Sequence, residues 1–170
     1  MMSTFPGCVT IRALMDPSDL VDISAGPHVV VLEMGTAYKL KGTNERMFRA
    51  RMLPKVALFD DVKMVCGVAD LVPRHGSGGS TNTAACGADG AAKPFSVEAI
   101  TIRGPCRVLC SCFNDSGLLS IGERVGFDKA APSLLLSTAA NPRAPLESFG
   151  IVMNMDQRTS GSGACVDVLM

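Results

Sequence analysis

Three cysteines that lie close together in the sequence are the residues best suited to chemistry. Cys106, Cys110 and Cys112 follow the spacing C-x3-C-x-C, and thiolates this close together can bind zinc. The segment 106–113 is predicted to be a β-strand, so all three would share one face with Val108. Because a free cysteine behaves as a small buried hydrophobic residue, we interpret the cluster as core. A metal site or a redox pair is the alternative interpretation.

The histidines and serines form no hydrolase motif. His28 opens an apolar run, His75 lies in a glycine-rich stretch, and no serine is framed by G-x-S-x-G. A catalytic triad needs a histidine that is oriented by a carboxylate and lies beside a nucleophile. We therefore expect both histidines to be ordinary surface or edge residues.

Carboxylates and glycines are explained by turns. The aspartates beside predicted turns are Asp16, Asp19, Asp60, Asp61 and Asp115. At such positions an aspartate side chain caps the backbone, and we favour this role over a site for a hard metal ion. The stretch 76–80 resembles a phosphate loop in composition but lacks G-x-x-x-x-G-K-[ST]. The sequence thus predicts no catalytic, cofactor-binding or metal-binding residue, no cofactor and no enzymatic activity.

Composition predicts a folded chain without a strong charge. Its 170 residues, 47% of them hydrophobic, suit one domain or two small ones sharing a core. Sixteen basic and sixteen acidic residues cancel and aromatics make up 5%, which disfavours a nucleic-acid-binding barrel. Seven irregularly spaced cysteines and no visible secretory signal indicate reduced thiols in a cytosolic folding environment. No apolar run is long enough to cross a bilayer, so we expect no membrane partner.

The first 72 residues are typical of short strands and turns. Strands are predicted at 8–15, 20–23, 28–34, 37–41 and 46–53. The last two flank a glycine-containing turn and predict a hairpin, with a short helix as the alternative for 46–53. For 54–71 we favour two strands, 55–59 and 62–69, over one amphipathic helix, because Gly67 would weaken a helix by ~1 kcal/mol relative to Ala.

The rest of the chain predicts an all-β fold. Residues 73–93 are rich in Gly, Ser, Thr, Asn and Ala and predict a long loop or arm. Further extended segments are predicted at 95–103, 106–113, 118–127, 133–138, 149–155 and 164–170. The last two form a second predicted hairpin. Strands at this spacing indicate a small β-barrel or sandwich, with 1–72 as an N-terminal β segment packing on a barrel portion at 94–170 in what is one domain overall.

An ordered series of short motifs in the second half resembles a known family. The motifs lie at 63–70, 104–108, 121–128, 148–153 and 164–169. Together they resemble tailed-bacteriophage capsid decoration (cement) proteins with a β-barrel or β-tulip body. Gly122-Glu123 stands where that family usually has Gly-Asp, and the cysteines and the long loop are not features of the family.

The resemblance implies a non-enzymatic virion protein on the capsid exterior, folded in the host cytoplasm. It implies binding to the major capsid protein and self-association, with a trimer favoured, so that neighbouring capsid subunits are cemented. Residues 1–7 and the loop 76–93 are candidate arms that would add a strand to a neighbour's sheet. The alternatives are a phage head-fibre or minor tail protein and a metal-binding β module built on the cysteine cluster.

Overall fold

The computed structural model describes residues 7–40, 42–73, 85–86, 92–93, 95–156 and 163–170. The strands are β1 Val9–Met15, β2 Gly26–Leu40, β3 Arg46–Met52, β4 Met64–Leu71, β5 Ala85–Cys86, β6 Ala92–Lys93, β7 Ser96–Arg103, β8 Pro105–Leu109, β9 Arg124–Asp128, β10 Leu136–Ser137, β11 Leu146–Asp156 and β12 Cys165–Leu169. Short 3₁₀ helices span Pro17–Leu20, Leu53–Lys55, Cys110–Cys112 and Ser116–Leu118.

Five strands close into a β-barrel in the order β3, β1, β7, β4, β2 and back to β3. The β1–β3 pair is parallel, and the other pairs of the ring are antiparallel. Alternate residues of every strand fill the interior, among them Met15, Leu32, Ala50, Leu71 and Ile100.

Close approach of β4 to β7 depends on a glycine. A Cβ at Gly67 would lie 2.5 Å from Cγ2 of Ile100 and 2.8 Å from the carbonyl oxygen of Thr101. A side chain at this position would therefore push the two strands apart. Gly67 argued against a helix in the sequence, and in the structure it also allows the barrel to close.

A second, antiparallel sheet covers one side of the barrel. Its strand order is β10, β9, β11, β12, β8. The outward-facing side chains of β2 and β4, such as Val31 and Val68, pack against its inner face, which includes Phe127, Val152 and Val168. The main core of the protein lies between these two layers.

The all-β fold with a small barrel is confirmed. Both hairpins are also confirmed: Tyr38 pairs with Met47 at the end of β2, and Val152 pairs with Val168 between β11 and β12. Segment 46–53 is a strand over Arg46–Met52, so the helical alternative is wrong.

Several element predictions are wrong. The expected strand 20–23 begins at the end of a 3₁₀ helix, and the expected strands 28–34 and 37–41 are parts of the single strand β2. Residues 55–59 form no strand, because the chain turns after the 3₁₀ helix Leu53–Lys55. The expected strand 106–113 ends at Leu109, and Cys110–Cys112 form a 3₁₀ helix.

The barrel also takes its strands from a different part of the chain than expected. The sequence placed it within 94–170, whereas the closed ring draws four strands from the first 72 residues and one, β7, from the later part. Within the predicted loop 73–93, β5 and β6 extend the edge of β2, where Cys86 pairs with Lys39. Residues 1–6, 74–84 and 87–91 lie outside the described residues, and with them His75, the 76–80 stretch and most of both candidate arms.

Candidate functional site

The start of strand β2 brings a histidine to the cysteine cluster. β2 starts at Gly26, whose φ is +135° and where a Cβ would lie 2.9 Å from Cδ2 of Leu109. Glycine thus lets the start of β2 lie against the end of β8. Beyond Leu109 the 3₁₀ helix turns Cys112 toward His28, and the N–H of Leu135 donates to the Cys112 carbonyl over 2.8 Å.

His28 and Cys112 form a thiol–imidazole pair. Nδ1 of His28 lies 3.9 Å from Sγ of Cys112, and Nε2 lies 2.7 Å from the carbonyl oxygen of Ser24. Because only a protonated ring nitrogen can donate to a carbonyl, the proton of the neutral ring is on Nε2, and Nδ1 is the acceptor that faces the thiol. The ring is buried, with 7% of its surface exposed, so this orientation is fixed by packing as well as by the hydrogen bond.

The Cys112 thiol is protonated at neutral pH. Burial raises the pKa of Cys112, a hydrogen bond from the backbone of Val29 opposes that rise, and the neighbouring thiols Cys165 and Cys110 add to it. A protonated thiol beside an unprotonated imidazole nitrogen is the arrangement from which a base can generate a nucleophile.

The cysteine cluster is divided by the turn at residue 110. Cys106 faces the core with 5% of its surface exposed, and its thiol donates to the carbonyl of Val168 over 3.5 Å. Cys110 and Cys112 are half-buried on the 3₁₀ helix, so the prediction that all three share one strand face is wrong. Within the described residues, no group of three or more His, Cys, Asp or Glu side chains is placed to hold a metal ion.

The approach of His28 to Cys112 was missed at the sequence level. The two residues are 84 positions apart and share no local motif. The sequence placed His28 at a surface or strand edge, whereas it is buried in the wall of a cleft. No sequence signal marks the pair, because only the packing of β2 against β8 brings it together.

The aspartates behave mainly as turn and ion-pair residues. Asp16 accepts hydrogen bonds from the N–H and hydroxyl of Ser18, and Asp60 accepts one from the N–H of Val62. Asp115 precedes the 3₁₀ helix Ser116–Leu118. The other two aspartates form ion pairs, Asp19 with Lys55 and Asp61 with Lys129.

An apolar surface lies on the far side of the second sheet. We call it the outer sheet face; its residues are Ile121, Ile151, Met153 and Leu169. Ile151 and Leu169 are direct cross-strand partners, and Ile121 sits beside β11 because the N–H of Gly122 donates to the Val152 carbonyl over 2.7 Å. Ile121, Met153 and Leu169 are 70%, 46% and 42% exposed. Exposed apolar residues clustered on a rigid sheet are typical of an interaction surface.

One side of this surface carries an ion pair. Nε of Arg107 lies 3.0 Å from Oδ1 of Asp167, and the two residues are register partners of β8 and β12. An apolar centre with polar groups at its margin is the usual composition of a protein–protein interface.

The thiol of Cys66, which is half-buried and packs against the main core, makes the stability of the protein depend on alkaline pH. Burial, with a smaller contribution from Glu147, raises its pKa from 9.0 to about 12. In the unfolded chain this thiol loses its proton near pH 9, while in the folded protein it keeps the proton. The contribution of the thiol to stability is therefore fully present below pH 9 and is lost as the pH rises toward 12.

We expect urea unfolding of the wild type to show decreasing stability above pH 9, and Cys66→Ala to lose stability less steeply over the same range. Cys165→Ala is the control, because it removes another half-buried thiol and leaves Cys66 in place. Parallel pH profiles for the wild type and Cys66→Ala would show that this thiol does not titrate differently in the two states.

Four of the five motifs meet in the second sheet, with 104–108 on β8, and the fifth, 63–70, lies on β4 of the barrel. Segments 121–128, 148–153 and 164–169 fall on β9, β11 and β12 or beside them, and these strands are consecutive neighbours.

In the part of the chain that the structure describes, no helix combines the length and apolar character needed to cross a membrane. No protein-family model, curated protein or solved structure matches the chain.

Proposed function

We propose that this chain is a virion structural protein that binds the exterior of a phage capsid and cements neighbouring major capsid subunits. The observation that carries the proposal is the outer sheet face, an exposed apolar surface on the same sheet that holds four of the five decoration-protein-like motifs. In this proposal the protein acts through binding alone and associates with itself, most simply as a trimer.

The outer sheet face is suited to binding because the sheet below it is rigid. Gly150 packs so closely on β12 that a Cβ there would lie 2.5 Å from Cγ1 of Val168 and 2.6 Å from the carbonyl oxygen of Leu169. Val152 and Val168 are buried against the barrel. A preformed surface loses little conformational entropy on docking, so its apolar area contributes more fully to affinity.

A small contact is sufficient in a symmetric shell. Each exposed apolar side chain contributes on the order of 1.5–3 kcal/mol when fully buried, which is modest for one copy. A trimer presents the same face three times, and linked contacts raise the overall affinity without any new contact. The proposed binding depends on apolar burial, because the exposed side chains of the outer sheet face are uncharged.

A head-fibre or minor tail protein is the alternative within the same structural class. It would use the same kind of surface, and it differs in its position on the particle. Labelling purified particles with the tagged protein and locating it by electron microscopy distinguishes capsid from tail binding.

The test replaces the exposed apolar side chains of the outer sheet face with charges. We expect Ile121→Asp/Met153→Asp/Leu169→Asp to bind empty capsids at least about tenfold more weakly than the wild type, because three apolar contacts are lost and three carboxylates would have to be desolvated. Co-sedimentation with capsids measures the occupancy.

The matched control is Val62→Asp, which changes an apolar residue that is 85% exposed in the connection before β4, outside the second sheet. Light scattering of each variant must give the same oligomer mass as the wild type. Full occupancy by the triple variant would exclude the outer sheet face as the capsid contact.

A further inference from the structure

A cleft beside the thiol–imidazole pair has no part in the proposed capsid contact. It has a volume of about 250 Å³ and is bounded by residues from five short stretches of the chain, 22–24, 28–29, 52–54, 111–112 and 133–134, which include His28 and Cys112. Its apolar lining is formed by Ile23, Val29, Met52, Leu53, Pro54 and Leu134. The other polar residues of the lining are Asp22, Ser24, Ser111 and Ser133.

We propose that Cys112 is a covalent modification site that accepts a short acyl group from a thioester, with His28 as the general base. The proposal goes beyond capsid binding, because it uses a different surface and a different kind of chemistry. It rests on three observations: the nucleophile lies beside a base, the base is oriented by a third group, and an apolar cleft adjoins both.

The pair has the parts that nucleophilic acyl transfer needs. The Ser24 carbonyl holds the Nε2 proton, so Nδ1 has its lone pair toward the thiol. A nucleophile, a base and an orienting group in this order are the arrangement of thiol-dependent acyl transfer. The separation of 3.9 Å between Nδ1 and Sγ is long for a transfer distance, as is usual for such pairs without a bound substrate.

The step is a thioester exchange. Nδ1 of His28 takes the thiol proton as the sulfur electron pair of Cys112 attacks the carbonyl carbon of the donor. The tetrahedral intermediate then collapses, the bond from carbon to the donor sulfur breaks, and the departing thiolate takes the proton from Nδ1. One thioester and one thiol are consumed, one thioester and one thiol are formed, and no oxidant or further reactant is needed.

The position of His28 distinguishes Cys112 from the other two cysteines of its cluster. Cys106 is sealed in the core with 5% exposure, and its thiol donates to the carbonyl of Val168. Cys110 is half-buried on the same 3₁₀ helix, two residues before Cys112. It is therefore an internal reference with similar access and a different relation to His28.

The volume of the cleft restricts the acyl group. An apolar cavity of about 150 Å³ holds a benzene molecule, so the volume of about 250 Å³ is enough for an acyl chain of up to roughly ten carbons. A longer acyl chain would have to leave the cleft and lie partly exposed in water, which removes the benefit of the lining. We therefore expect a preference for acetyl and butyryl donors over a myristoyl donor.

The experiment exposes the full chain to the acetyl, butyryl and myristoyl thioesters of N-acetylcysteamine. Peptide mapping by mass spectrometry follows the acylation of each cysteine over time. We expect Cys112 to be acylated first by the short donors, and His28→Gln to slow its acylation about 100-fold, since Gln fills similar space but cannot act as a base. Circular dichroism checks that each variant is folded.

A second variant tests the cleft without touching the pair. Ser133 is exposed at the edge of the cleft, so Ser133→Trp should cover the entrance and slow acylation of Cys112 while leaving Cys110 unchanged. Equal rates at Cys112 and Cys110, an unchanged rate in folded His28→Gln, or equal reaction with the myristoyl donor would each overturn the proposal. These outcomes do not affect capsid binding, which is measured separately.

Discussion

Phe127→Ala is expected to lower the free energy of unfolding by about 3–5 kcal/mol. Phe127 is 1% exposed at the centre of the core between barrel and second sheet, and its ring lies 5.0 Å from that of Phe59 in an edge-on arrangement. Removing it loses both the transfer free energy of the ring and the aromatic contact, and the close-packed layers cannot fill the cavity. Urea denaturation followed by circular dichroism measures the loss.

Leu118→Ala serves as the control for this measurement. Leu118 is an apolar residue of the same chain region but is 71% exposed, so its replacement should change stability by no more than about 0.5 kcal/mol. A loss below about 1 kcal/mol for Phe127→Ala would mean that the two layers are not joined by a common core.

Gly126→Ala should destabilise the protein by more than about 3 kcal/mol, although it adds a single methyl group. A Cβ at this position would lie 2.2 Å from the carbonyl oxygen of Glu147 and 3.0 Å from its carbonyl carbon. Both atoms belong to the backbone of β11, so no side-chain rotation can relieve the contact, and β9 must separate from its neighbour. Thermal unfolding and urea titration both report the change.

Gly117→Ala is the matched substitution. The added Cβ would meet only Oδ1 of Asp115 at 3.5 Å, an ordinary van der Waals distance, so stability should stay within about 0.5 kcal/mol of the wild type. If the two glycine variants were equally stable, the tight pairing of β9 with β11 would be refuted.

The elements that the sequence predicted well are those whose local pattern agrees with their final environment. The hairpin of β11 and β12 could be predicted because two apolar runs flank a polar, glycine-containing stretch. Val166 and Val168 are buried and Asp167 between them faces outward, which is the alternation of a strand with one covered face. The same agreement holds for β1 and for the pairing of β2 with β3.

The errors lie where tertiary contacts override local pattern. Segment 106–113 contains neither glycine nor proline, so nothing in it indicates that the chain leaves the sheet after Leu109. Segment 55–59 is apolar enough for a strand, yet Val56 and Phe59 are buried while the two residues between them are exposed, which is the spacing of a turn.

The candidate site could not be predicted for the same reason. Its histidine and cysteine come from the two layers of the fold, and their meeting depends on the contact of Gly26 with Leu109. The outer sheet face was equally hidden, because Ile121 and Leu169 come beside β11 only through the pairings of the second sheet.

The order in which β1 finds its partners has a consequence for synthesis in the cell. β1 pairs on one side with residues 48–50 and on the other with residues 96–103. At a translation rate of about 5–20 residues per second, its second edge stays open on the ribosome for on the order of 4–20 s after β1 emerges. An apolar strand whose edge stays unpaired for this time is prone to pair with another nascent chain. Overproduction should therefore yield more native protein at low temperature or with extra chaperone. Both conditions protect the open edge of β1 until the ring can close.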